Sequence, residues 1–147
     1  MEIGKQIKTK FNNPQHKALV NIRFTSNWMA KKQNTYMSKF GISMAQFNIL
    51  RILRGAKDFL NVSVIKERMV EVSPNTTRLM DKLIEKELIE RARLAIDKRV
   101  VRVKITKKGL NLLAEIDTGF DQVLSFSENI SDEEAELLSS LLDKLRN

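Results

Sequence analysis

The side chains best suited to chemistry in this sequence are three short polar groups and a guanidinium in succession: Asn75, Thr76, Thr77 and Arg78. Amides and hydroxyls hydrogen-bond to the edges of base pairs, and a guanidinium matches either the guanine edge or a phosphate. Catalysis has no comparable set, because the chain has no Gly-rich phosphate loop, no Cys nucleophile and a single His, His16. We therefore expect recognition of a polyanion, and neither an enzyme, a cofactor nor a metal site.

A helix predicted from Ser73 to Lys86 positions these four residues. The Ser73 hydroxyl is suited to accept an N–H group of the first turn, and Pro74 stands where its missing N–H costs nothing. Apolar residues recur at helical spacing and predict one buried stripe: Leu79, Met80, Leu83 and Ile84. The polar face at the helix N-terminus then points outward. We expect seven residues of this helix to contact DNA in the major groove: Ser73, Pro74, Asn75, Thr76, Thr77, Arg78 and Lys82.

A shorter helix and a tight turn precede this element. Ile65 and Met69 are spaced to point inward from the shorter helix, and residues 71–73 form a turn that forces the two helices to cross steeply. Residues 62–64 include two valines and predict a brief extended piece that pairs with a later strand. We expect Ser63, in this piece, to contact DNA.

Two strand-like runs, 88–93 and 100–106, follow and predict a β-hairpin wing. Six basic residues lie on this ribbon: Arg91, Arg93, Lys98, Arg99, Arg102 and Lys104. A run of charges usually marks only a solvated face. We favour contact with DNA, through Arg93, Lys98 and Arg99, because the ribbon directly follows a helix-turn-helix.

Long helical patterns flank this lobe. Asn13 followed by Pro14 predicts the start of a helix that ends at Gly41, and a capping box at residues 43–46 opens a helix that stops at Gly55. Towards the C-terminus, Thr106 is suited to cap a helix whose apolar stripe continues to about Asn129. A second capping box, at residues 131–134, opens a Leu-rich last helix.

The apolar stripes of these flanking helices exceed what a small core needs. They serve either the core and an interface with a second copy of the chain, or they line a small-molecule cavity. We favour plain packing, since aromatic and Met residues at helical spacing are usually core.

The net charge of +8 is unevenly distributed along the 147 residues. Residues 1–40 carry eight basic residues and one acidic residue, residues 73–109 carry eleven and five, and residues 110–147 carry two and nine. A basic centre with an acidic C-terminal region indicates that one surface binds a polyanion while another surface repels it. With no Cys, no apolar signal core and no run of about 20 apolar residues, we expect a cytoplasmic protein without disulfides or membrane contact.

The order and spacing of several motifs resemble the MarR family of bacterial transcriptional regulators. The motifs are T-R-L-M-D-K-L at 77–83, L-I-E-R at 88–91, I-D-K-R at 96–99, V-R-V-K-I-T at 101–106 and K-G at 108–109. The resemblance covers nearly all of residues 1–147, as a single MarR-like chain. It implies a mainly α fold with a small β-hairpin wing (α+β), namely a winged helix-turn-helix at 43–106 between dimerisation helices at 1–40 and 107–147.

The resemblance also implies a homodimer that binds palindromic double-stranded DNA, commonly as a repressor, and is released by a small aromatic effector. Its residues at the effector pocket would be Phe24, Trp28, Met29 and Phe47. Asp97 and Arg99 match a wing pair in which the Asp holds a basic side chain while the Arg reaches the minor groove. The alternative for this pair is a surface salt bridge worth about 0 to 1 kcal/mol.

Two positions depart from the family pattern. Glu87 stands where a Gly usually follows the recognition helix, and the tip residues 94–96, Leu-Ala-Ile, lack the Pro, Asn or Gly of ordinary turns. A second function also fits the sequence: a winged-helix module that binds another protein through its basic ribbon. Salt dependence separates the two, because phosphate contacts weaken steeply with added salt.

Overall fold

Helices dominate the computed structural model, which describes residues 2–70, 74–124 and 128–147. The fold is mainly α with a small antiparallel sheet, as the sequence predicted. The helices are α1 (Ile3–Gln6), α2 (Pro14–Ser38), α3 (Met44–Ala56), α4 (Val62–Arg68), α5 (Thr76–Glu85), α6 (Lys107–Leu124) and α7 (Asp132–Arg146). The strands are β1 (Leu60–Asn61), β2 (Ile89–Arg93) and β3 (Val101–Ile105), in the sheet order β1-β3-β2.

Hydrogen bonds at the N-termini of α2, α3, α6 and α7 confirm the predicted starts of these four helices, whereas α5 begins at Thr76, later than predicted. The Asn13 side chain accepts from the His16 backbone N–H at 3.0 Å. The Thr106 hydroxyl accepts from the Gly109 N–H at 3.1 Å, so that Thr106 caps α6. Both predicted capping boxes are present: Ser43 with Gln46, and Ser131 with Glu134.

Two predicted boundaries in the helix-turn-helix are wrong. Helix α3 passes through Gly55 and ends at Ala56, because Lys57 takes the left-handed conformation at φ 60°. The extended piece lies at Leu60–Asn61 instead of residues 62–64, which form the first turn of α4. Propensity favoured strand for those valines, but Val62 packs on the core at helical spacing with two buried residues, Ile65 and Met69.

A continuous apolar core joins the sheet to the surrounding helices. Its most buried members come from α2, α3, α5, β2, β3 and α6: Met37, Phe47, Leu50, Leu53, Leu83, Ile89, Val103, Leu113 and Ile116. Helix α6 is held at its middle, where the Tyr36 hydroxyl donates to the Ile116 carbonyl at 3.0 Å. An ion pair of 2.6 Å between Arg54 and Asp117 joins α6 to α3.

Apolar side chains also remain exposed on the helices that flank the lobe. On α7 none of the residues is buried, and four leucines are at least half exposed: Leu137, Leu138, Leu141 and Leu145. On α2, Leu19 and Ile22 are exposed, and on α6 Leu110 is exposed. The predicted α6 stripe is therefore buried at Leu113 and Ile116 and open at its start. Within the described ranges, each helix is too short or too polar to cross a bilayer.

Candidate DNA-binding surface

Helix α5 presents one apolar face to the core and one polar face to solvent. Met80 and Leu83 are buried, and Leu79 and Ile84 pack half-buried against the core, which confirms the predicted stripe. The helix begins at Thr76 with Asn75 as its N-cap and ends at Glu85. The predicted cap, Ser73, lies outside the described residues.

Four of the predicted α5 contacts lie close together on the solvent side of the helix N-terminus. Pro74, Asn75, Thr77 and Arg78 are exposed. Lys82, one turn further along, is also exposed and borders a groove with Gly41, which follows α2. The helix thus presents an amide, a hydroxyl and a guanidinium on its first turn.

Thr76 is the exception, and its predicted contact with DNA is wrong. Its side chain is 1% exposed, and its hydroxyl lies 3.8 Å from the Met69 sulfur. Thr76 stands four residues before Met80 and seven before Leu83, so that it extends the buried stripe by one turn. Because Thr is a polar residue type, the spacing of apolar residues in the sequence did not predict that this position is buried.

The helix exit is left-handed although no Gly is present. Glu87 takes φ 60°, its N–H donates to the Ile84 carbonyl at 2.8 Å, and the Leu88 N–H donates to the Leu83 carbonyl at 2.9 Å. This pair of bonds is a Schellman motif. The Glu87 carbonyl in turn accepts from the Thr106 hydroxyl at 2.7 Å. Glu87 therefore adopts the left-handed conformation that Gly usually adopts at this position, although its Cβ makes that conformation unfavourable.

The wing, residues 89–105, consists of β2, β3 and their connection, as predicted. Three of its six cations contact other groups of the protein. Arg91 forms an ion pair with Asp81 of α5. The Arg102 guanidinium and the Lys104 ammonium each lie 5.7 Å from the centre of the Phe59 ring. The other three are exposed towards the tip: Arg93, Lys98 and Arg99.

Hydrogen bonds to the backbone define the wing tip. The Asp97 carboxylate accepts from the Arg99 N–H at 3.0 Å, and the Asp97 carbonyl accepts from the Val100 N–H at 3.1 Å. The Leu94 N–H closes the loop on the Val100 carbonyl at 3.4 Å. The family resemblance implied that Asp97 holds a basic side chain. The structure instead shows an Asx turn, in which Asp97 orders the backbone of Arg99.

A groove of about 480 Å³ is lined by residues of both α5 and the wing. Its lining includes Ser63 of α4, Thr77 of α5 and Arg99 of the wing, three predicted contacts from separate parts of the sequence. The Asp81–Arg91 pair also lines it. Sequence reasoning missed this pair as a unit, because the two residues meet only through the packing of β2 on α5.

The four residues predicted for an effector pocket do not share one cavity in the described structure. Phe47 is 1% exposed and packs against Phe120, with ring centres 5.0 Å apart, so it belongs to the core. Phe24 and Trp28 line a groove of about 440 Å³ between α1 and α2. Met29, on the same helix, is half-buried.

A hydrogen bond joins two charged residues that line this groove. The Lys17 ammonium lies 2.6 Å from the Glu2 carboxylate, and this hydrogen bond lowers the pKa of the Glu2 carboxyl below its usual value. The groove therefore combines two aromatic side chains with a charged rim.

Comparisons with known proteins agree with this geometry. The sequence profile of the MarR family matches residues 42–101, from the start of α3 to the start of β3. The chain is 32% identical over 114 residues to the multiple antibiotic resistance protein MarR of Escherichia coli, covering 76% of this chain and 78% of that protein. It is 29% identical over 116 residues to the HTH-type transcriptional regulator MhqR of Bacillus subtilis, covering 76% of this chain and 77% of that protein.

Two solved structures that resemble the fold contain DNA. The S. aureus MepR–DNA complex superposes with a TM-score of 0.76 at 26% identity, covering 86% of this chain and 93% of that one. A point mutant of E. coli MarR, complexed with operator DNA, superposes with a TM-score of 0.73 at 27% identity, covering 84% of this chain and 89% of that one.

Proposed function

The chain belongs to the MarR family of transcriptional regulators, and we propose that it binds a palindromic operator as a homodimer and represses transcription there. The observation that carries this proposal is the groove that Thr77 of α5 lines together with Arg99 of the wing, next to the exposed first turn of α5. Hydrogen-bonding groups on a helix N-terminus suit base edges, and an adjacent basic ribbon suits phosphates. Their combination favours double-stranded DNA over a protein partner.

A homodimer is supported by the apolar surface of the flanking helices. The exposed leucines of α7 and the exposed Leu19, Ile22 and Leu110 lie in the two predicted dimerisation regions, 1–40 and 107–147. A contiguous apolar patch in water usually marks an interface. A symmetric pair of lobes would present two α5 helices to successive major grooves, about 34 Å apart.

We further propose that the groove between α1 and α2 receives a small aromatic effector. Phe24 and Trp28 supply aromatic faces there, and the ion pair of Lys17 with Glu2 lines the same groove. Trp28 is the only Trp of the chain, so that the fluorescence comes from this one side chain, which also lines a second groove beside Lys32. Titration with benzoate should quench it in the wild type and leave a Phe24→Ala variant less responsive. An unquenched wild type would contradict benzoate as a ligand of this groove.

The operator experiment uses the full chain and genomic fragments. Protein is mixed with sheared genomic DNA at low salt, and the retained fragments are sequenced. We expect inverted repeats whose half-site centres lie about 10 base pairs apart. Retention should fall steeply as salt rises, because phosphate contacts are lost. Absence of retained fragments at low salt would refute the DNA-binding proposal and favour the protein-binding module. A reporter transcribed from a promoter that overlaps the recovered site should then be silenced by the protein.

A further inference from the structure

We propose that Ile96, at the apex of the wing, is an apolar wedge that enters the DNA minor groove beside Arg99 and partly unstacks one base step. The inference rests on the proposed DNA binding and adds a contact to it. The side chain of Ile96 is 99% exposed, although a β-branched residue of this size ordinarily gains from burial. Nothing in the packing of the wing requires an Ile at this position.

Hydrogen bonds on both sides of Ile96 order the wing tip and leave this side chain pointing outward. Residue 96 directly precedes the Asx turn in which the Asp97 carboxylate accepts from the Arg99 N–H. On the other side, the loop is closed by the bond from the Leu94 N–H to the Val100 carbonyl. Both ends of the tip are therefore fixed, and the Ile side chain points away from the hairpin with little ordering left to do on binding.

The charges around Ile96 identify the partner. Arg93, Lys98 and Arg99 are exposed and lie within three residues of Ile96 along the chain, and with Asp97 counted they leave residues 93–99 with an excess of positive charge. A protein-binding or self-associating apolar tip would gain little from three cations at its rim. A polyanion whose groove has an accessible apolar interior suits both features, and duplex DNA is such a partner.

The minor groove provides a place for this pair of side chains. Its narrow stretches concentrate negative potential and attract Arg, and apolar residues such as Ile insert between base steps there and kink the duplex. Pyrimidine–purine steps unstack most easily. The wedge therefore predicts a preference for TA or CA steps at the outer flanks of the operator, where the wing reaches.

The test compares Ile96→Ser with Ile96→Leu, which keeps the apolar volume, and with Ala95→Ser, a matched exposed change at the neighbouring tip position. Operators recovered by the genomic selection carry 2-aminopurine at the flanking steps, because its fluorescence rises on unstacking. We expect Ile96→Ser to lose about tenfold in operator affinity at every salt concentration, with an unchanged salt slope, since no charge is removed. It should also lose the fluorescence increase, whereas Ile96→Leu and Ala95→Ser keep both.

Unchanged affinity of Ile96→Ser would overturn the wedge, and so would a loss of affinity without loss of the fluorescence signal. A lower oligomeric state of Ile96→Ser in sedimentation without DNA would overturn it too, in favour of an apolar tip that packs on another chain. These results differ from failure of the proposed function, in which the wild type itself retains no DNA. Circular dichroism should show the same melting temperature for all four proteins, because the altered side chains are exposed.

Discussion

The hydroxyl of Thr106 donates to the backbone carbonyl of Glu87 at 2.7 Å and accepts from the backbone N–H of Gly109 at 3.1 Å. One side chain thereby joins the exit of the recognition helix α5 to the first turn of α6. The position and direction of α5 are tied at this junction to the helix that leads out of the lobe.

Glu87→Gly should stabilise the fold by about 1 kcal/mol, because the left-handed conformation that Glu87 adopts at φ 60° is unfavourable for a residue with a Cβ. The ion pair that the change removes, with Lys108, is exposed and contributes little. Urea unfolding followed by circular dichroism measures the difference. Glu115→Gly, at an exposed position inside α6, is the control and should destabilise by about 1 kcal/mol. A loss of stability in Glu87→Gly would contradict this explanation of the helix exit.

Gly109→Ala should destabilise the fold by about 1 to 3 kcal/mol. A Cβ at this position would lie 2.3 Å from the Leu88 carbonyl oxygen and 2.7 Å from Cγ1 of Ile105, so that α6 would have to move away from the wing. Gly55→Ala is the matched control, since a Cβ there meets nothing within 4 Å. It should stabilise α3 by about 0.5 to 1 kcal/mol. Thermal melts of the two variants should shift in opposite directions, and equal shifts would contradict the prediction.

Thr76 and Thr77 form a natural pair for separating stability from DNA binding. Thr76→Ala should lower the free energy of unfolding by about 1 to 2 kcal/mol, because the side chain is buried. Thr77→Ala, at an exposed neighbour on the groove, should change stability by less than about 0.5 kcal/mol and weaken operator binding. Urea unfolding and fluorescence anisotropy with labelled operator measure the two effects. The reverse pattern would show that the helix is rotated relative to this structure.

Arg78→Ala should weaken operator binding by about 1 to 3 kcal/mol, through loss of a base or positioning contact. Arg146→Ala removes the same charge from the far end of α7, where Arg146 pairs with Asp143, and is the control for net charge. Anisotropy titrations on a recovered operator and on a scrambled duplex compare them. Equal affinity of Arg78→Ala and the wild type would remove Arg78 from the interface.

Arg99→Ala should weaken binding to any duplex and reduce the salt slope by about 0.9 if Arg99 neutralises one phosphate. Titrations between low and moderate salt measure the slope of log affinity against log salt concentration. Arg146→Ala again serves as the control and should leave the slope unchanged. An unaltered slope in Arg99→Ala would mean that the wing makes no phosphate contact through this residue.

Local signals in the sequence were enough to place most elements of the fold. The capping boxes at residues 43–46 and 131–134 and the cap at Thr106 involve residues within one turn of each other, so their hydrogen bonds follow from spacing alone. Propensity failed where tertiary packing decided the outcome, as at Val62, which begins a helix because its spacing from Ile65 suits the core.

The candidate site was predicted less completely than the fold. Residue type placed Thr76 on the outer face, and only packing against Met69 shows that it is buried. The Asp81–Arg91 pair joins residues ten positions apart on different elements, which no helix or strand period connects. The position of Arg102 and Lys104 against Phe59 likewise depends on where the α3–β1 connection lies beside β3.

Phe59 has a consequence for the balance between specific and non-specific DNA binding. Arg102 and Lys104 both lie 5.7 Å from the centre of its ring, and a cation that this contact keeps from the phosphates would release no counterion from a duplex. Counterion release contributes equally to the affinity for every DNA sequence. Each cation that is kept from the phosphates would therefore lower the affinity for non-specific DNA. Phe59 would in this way leave a larger share of the affinity to the contacts that distinguish one site from another.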